Sequence, residues 1–137
     1  MGRGLLMPVL IVALVLAGCG RASRHGVRVG IEQIASIAAE GRLMADDLAR
    51  GATKTTFVRV HGSELSAQAE HEAEKLNDNP AAPDARQAIP SAISLASDIG
   101  GAIDDLRTSP QDRVKARITE HKLGVWADAA AKLAKTL

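Results

Sequence analysis

"IEQIASIAAEGRLMADDLARG", residues 31–51, decides the fold class. Its apolar positions, Ile31, Ile34, Ile37, Ala38, Gly41, Met44, Ala45 and Leu48, recur at steps of three and four. That spacing lines one face of an α-helix, whereas a half-buried strand would alternate at every second residue. Gly51 closes the run, because glycine readily takes the left-handed conformation that ends a helix.

Three more segments repeat the pattern. The second runs from a cap at Thr55 or Thr56 to about Leu76, with Val58, Gly62, Leu65, Ala69, Ala73 and Leu76 as its stripe. "NDNPAAPD", residues 77–84, breaks it. In the third, Ile93, Ala96, Ile99, Gly100, Ile103 and Leu106 fall in register, and Pro90 opens or kinks the helix. The fourth starts at Ser109 as N-cap, with Pro110 at the first position and Asp112 three residues after the cap. Its stripe is Val114, Ile118, Val125, Ala129 and Leu133, with Trp126 on the flank.

Four amphipathic helices and short breakers predict an all-α fold, a small antiparallel four-helix bundle. "MADDLARG" and "AIDDLRTS" end the first and third helices, and "AEKL" and "AAKL" end the second and fourth. This echo suggests two αα-hairpins, with duplication one explanation and coincidence in alanine-rich helices the other.

Composition narrows the function. With 17 basic and 16 acidic residues the formal charge is +1, far from the one-signed field of a nucleic-acid binder. There is no tyrosine, and Phe57 and Trp126 are the only other large aromatic residues. Neither a base-stacking platform nor an aromatic-rich sandwich fits that inventory. One cysteine, Cys19, rules out an intramolecular disulfide framework.

The cysteine's setting is informative. Arg3 and the α-amine precede an uncharged, mostly apolar run from Leu5 to Ala17. That run is shorter than the ~20 residues a membrane-spanning helix needs, and it has the layout of a signal peptide. It ends in Leu16-Ala17-Gly18-Cys19, which resembles the lipobox of bacterial lipoproteins. The resemblance implies cleavage before Cys19, a diacylglycerol on its thiol and an acyl chain such as palmitate on the new amino terminus. Gly20, where an aspartate often marks retention in the inner membrane, is compatible with the outer membrane of a host that has one. The expected organisation is a signal peptide over 1–18, a lipidated N-terminus and basic tether over 19–30, and a bundle over 31–137. Arg21, Arg24 and Arg28 of the tether either contact anionic headgroups or belong to a solvated linker.

No G-x-x-x-x-G-K, G-x-S-x-G, C-x-x-C or H-E-x-x-H motif occurs. The remaining chemistry-bearing residues are His61, Glu64, His71, Glu120 and His121. His61 and Glu64 stand one turn apart beside the second stripe, and His121 flanks the fourth. A bundle interior shared by His61, Glu64 and His121 could hold a first-row metal. Boundary histidines facing solvent or a nearby carboxylate are the plainer explanation, and His71 falls on the wet side.

The expected function is therefore an extracytoplasmic, lipid-anchored, non-catalytic bundle with an interaction or structural role in the cell envelope. Its partners would be membrane lipids and an unidentified envelope protein, not nucleic acid. A homodimer is one way to cover a narrow apolar seam. No cofactor beyond the covalent lipid is expected, and a metal-binding or metal-sensing bundle is the alternative.

Overall fold

The computed structural model describes residues 22–137. Helix α1 spans Arg24–Arg50, α2 Thr55–Asp78, α3 Ile89–Thr108 and α4 Arg113–Lys135, and a 3-10 turn, Arg86–Ala88, leads into α3. The all-α four-helix bundle expected from the sequence is the observed architecture. The signal-peptide residues 1–18, the lipobox Leu16-Ala17-Gly18-Cys19 and Arg21 lie outside the described residues.

Helix α1 starts a full seven residues before the apolar spacing indicates. Ser23 caps it, its hydroxyl accepting from the Gly26 N–H at 3.0 Å, which satisfies a donor that has no intrahelical partner. Val27 and Gly30 are buried. Residues 24–30, expected as tether, are thus the first two turns of α1. The chain is also held just upstream of the cap: Ala22 N–H donates to Pro80 O at 2.8 Å, and Ala82 N–H donates to Ala22 O at 3.1 Å.

Two other boundaries shift. Lys54, not Thr55 or Thr56, is the N-cap of α2, and its side chain makes no capping bond. Asp112 caps α4, accepting from Lys115 N–H at 2.9 Å. Ser109 instead closes α3, and the Ser109 carbonyl accepts from Asp112 N–H at 3.2 Å in the turn between the helices. Pro90 opens α3 as expected.

The apolar stripes of α1, α2 and α3 are buried almost as expected, with only Ala73 and Ile93 half-exposed. Helix α4 differs. Its buried residues are Ala116, Thr119, Leu123, Ala130 and Ala134, whereas Val114, Ile118 and Val125 are 73%, 54% and 53% exposed. Ala129, Leu133 and Trp126 are half-buried. The physical reason is size. Helix α4 lays small side chains on α1, so the two backbones come close, and the larger β-branched residues are left on the outside.

The closest pairs are not the sequential hairpins. Helix α1 packs most extensively on α4, and α2 on α3, while α1–α2 and α3–α4 are lesser contacts. Helices α1 and α3 also touch across the diagonal. At that crossing Gly41 leaves room: a Cβ there would stand 2.9 Å from Ile103 Cδ1 and 3.2 Å from Leu123 Cδ1. Between α2 and α3, the Ser66 hydroxyl donates to the Gly100 carbonyl at 3.2 Å.

This arrangement has an approximate two-fold character. A shift of 58 residues takes the end of α1, Arg50, to the end of α3, Thr108, and the start of α2, Thr55, to the start of α4, Arg113. The same shift pairs buried Val27 with Ala85, Ile34 with Ala92, Ala38 with Ala96, Ala45 with Ile103, Leu48 with Leu106 and Leu65 with Leu123. Exchanging the halves maps the α1–α4 contact onto α3–α2 and leaves α1–α3 at the centre. The "MADDLARG"/"AIDDLRTS" echo, itself 58 residues apart, therefore belongs to a repeat of the packing, whereas "AEKL" and "AAKL", 57 residues apart, are one residue out of its register.

Candidate functional site

The residues singled out by sequence fall in three separate places. Near the chain entry, Arg24 sits 3.8 Å from Asp84 and donates to the Thr136 carbonyl at 3.3 Å. Arg28 contacts His25 Nδ1 at 3.1 Å and Glu32 at 3.7 Å, and its Nε is buried with no hydrogen-bond partner. Both expected headgroup-contacting arginines are thus engaged with the protein, although about half of each side chain remains exposed.

His61 lies at the boundary of α2, as its angle beside the stripe implies. Its Nε2 is 2.8 Å from Glu40 of α1, and its Nδ1 is 3.5 Å from Glu64. Phe57, one turn earlier, stacks on the ring at a centroid separation of 5.1 Å. Glu40 was invisible to sequence reasoning, because it reaches His61 from another helix and only the α1–α2 register brings them together. His71 is exposed.

His121 belongs elsewhere. It is exposed on α4, beside a shallow cleft shared with Arg42, Glu120, Gly124, Val125 and Asp128. Helices α2 and α4 occupy the outer corners of the bundle and make no extensive contact. His61, Glu64 and His121 therefore do not converge. Among the described residues no group of three or more His, Cys, Asp or Glu side chains is placed to hold a metal ion.

Glu120 has a structural role. It lies 3.5 Å from Arg42 Nε and 3.0 Å from Arg117 Nη1, and Arg117 also reaches Asp46 at 3.1 Å. Arg50 completes the chain of charges, at 2.9 Å from Asp46 and 2.6 Å from Asp47. The Arg117 guanidinium is held above its ordinary value, first by the hydrogen bond to Glu120 and then by that to Asp46. This ladder crosses the α1–α4 seam near the end of the bundle far from Ala22. At the end of α3, Arg107 pairs with Asp104 of the same helix at 2.7 Å. Glu72 is only 12% exposed and takes Lys75 at 2.9 Å.

The best-enclosed cleft holds about 160 Å³ between the start of α1 and the end of α2. Val27, Gly30, Leu76 and Ile89 form its apolar wall, and Glu72 and Lys75 stand at its rim. That is below the ~300–1,000 Å³ typical of small-molecule pockets. A larger trough of about 640 Å³ follows the α1–α4 seam past Leu43, Gly124 and Ala127, open to solvent along its length. No helix among the described residues is long and apolar enough to cross a membrane.

Comparison with protein-family models, with curated proteins and with solved structures finds no match to this chain.

Proposed function

We propose that this chain is a bacterial lipoprotein whose mature domain is a small helical bundle, displayed outside the cytoplasm and acting by contact rather than by catalysis. The observation that carries the reading is the distance from Cys19 to folded chain. Ala22, three residues on, is already bonded to Pro80 and Ala82. Three residues reach at most ~11 Å, so a lipid on Cys19 would hold the bundle against the bilayer by its α1-entry end. Lipid on the thiol together with an N-acyl chain supplies the two or more hydrophobic tails that a stable anchor requires.

The non-catalytic part of the reading rests on the clefts and the titratable groups. The most enclosed cleft is small and mostly apolar, and the His61 ring faces Glu40 and Glu64 on both nitrogens. An envelope protein is the expected partner, and a crosslinked pull-down from membranes with the lipidated chain would identify it.

The anchor is tested directly. Cys19→Ala should accumulate as an uncleaved precursor of higher mass and leave the detergent phase for the aqueous phase. A mutant that is processed and fractionates like wild type sinks the reading.

A further inference from the structure

We infer that the outward face of α4 is a docking surface for an anionic lipid bilayer, so that the anchored bundle lies on its side with α4 down and α2 facing away. Val114, Ile118 and Val125 are separated by four and seven residues and so form one exposed stripe on α4, on the side away from Ala116, Leu123 and Ala134. Exposed Lys122, Lys132 and Lys135 border it, and none of the three forms an ion pair among the described residues. Helix α4 has two carboxylates: Glu120 is taken by Arg42 and Arg117, which leaves Asp128 near the stripe. An apolar stripe edged by lysines is the pattern of a helix resting in a bilayer interface.

The internal repeat supplies a comparison within the molecule. At the matching positions on α2, 58 residues earlier, Ile118 becomes Val60 and Val125 becomes Ala67, while Lys122 becomes Glu64 and Lys132 becomes Glu74. Glu70 takes the place of Asp128. Two faces that the fold treats alike, at opposite corners of the bundle, thus carry opposite charge, and the basic one is also the more apolar.

The chain entry agrees with this orientation. Arg24, at the start of α1, touches Thr136 at the end of α4. Ala22 itself is bonded to Pro80 and Ala82, so the described chain begins between the α2–α3 connection and the C-terminal end of α4, and α4 extends ~35 Å away from that end of the bundle. This geometry rests on the anchor proposed above.

The test uses the full chain, purified from membranes and reconstituted into vesicles. A nitroxide is placed at Val125→Cys or at its counterpart Ala67→Cys, and access of an aqueous nickel chelate is read by electron paramagnetic resonance. In vesicles containing phosphatidylglycerol, the label at 125 should be shielded severalfold relative to that at 67. Shielding should fade in phosphatidylcholine vesicles. Lys122→Gln and Lys132→Gln should each move the balance toward exposure by about fivefold.

Equal access at both labels overturns the inference. So does shielding that ignores lipid charge, or shielding that vanishes when the protein is diluted in the bilayer, which would mean that a second copy covers the face. The mass of the N-terminal peptide is measured in the same samples. A diacylglyceryl Cys19 upholds the anchor and an unmodified one removes it. In the latter case, flotation of the unanchored chain with the same vesicles decides the α4 face alone: it should bind phosphatidylglycerol vesicles and not phosphatidylcholine ones, and failure to bind either overturns it.

Discussion

Two glycines in helical runs mark opposite physical situations. At Gly41 a methyl group would press on Ile103 and Leu123, both buried, where α1 crosses α3. Alanine gains about 1 kcal/mol in helix propensity over glycine, but overpacking a core costs about 1–3 kcal/mol. Gly41→Ala should therefore lower stability by roughly 1 kcal/mol. Gly101, on the exposed side of α3, has nothing within 4 Å of the same added atom. Gly101→Ala should accordingly raise stability by about 0.8–1 kcal/mol. Urea midpoints of the two variants should move in opposite directions, and a shared direction would mean that the α1–α3 crossing is looser than described. Gly51 is a third case: its φ of 69° is left-handed, and Arg113 fills the space beside it.

At the level of elements, α4 shows what hydropathy alone can and cannot assign. The buried stripe of α1 from Ile31 to Leu48 was legible in full from its isoleucine spacing, and so were nearly all of the stripes of α2 and α3. In α4 the sequence offers two candidate faces. Val114, Ile118 and Val125 are more apolar than Ala116, Thr119, Ala130 and Ala134, yet those small residues face inward, together with Leu123, where α4 packs on α1. Closeness is a property of the pair and is not written in either helix. The start of α1 was missed for a related reason. The arginines and glycines at 24, 26, 28 and 30 read as a linker, although Val27, four residues before Ile31, is in register with the stripe and Ser23 is a cap signal. The His61 boundary position was legible, while its partner Glu40 was not. Leu123→Ala, at a fully buried site, should cost about 2–5 kcal/mol. Ile118→Ala, on the outside, should change stability by no more than about 0.5 kcal/mol. Thermal melts of the two would show at once which face of α4 is the core.

For the whole molecule, the repeat explains why a chain with so few large side chains can form a closed bundle. Each half presents a narrow face that its partner half completes, and at the centre is an α1–α3 contact where a Cβ at Gly41 would press on the ends of the Ile103 and Leu123 side chains. The charges do not follow the repeat, so the two halves share one packing scheme but differ in what they show to their surroundings. Lipid attachment at Cys19 would fix which of those surfaces meets a membrane.

The short pairing of Ala22 with the 80–82 segment and the contact of Arg24 with Thr136 have a consequence for chain order. The start of α1, the end of α4 and the α2–α3 connection all gather at one end of the bundle. The fold therefore has little stake in where its backbone is cut at that end. A circular permutant that begins near Asp84, runs through α3 and α4, and returns through a short linker into α1 and α2 should keep native helicity and a cooperative melt. Opening the chain instead in the tight turn at Gly51 should not be tolerated. Circular dichroism of the two permutants would separate these outcomes.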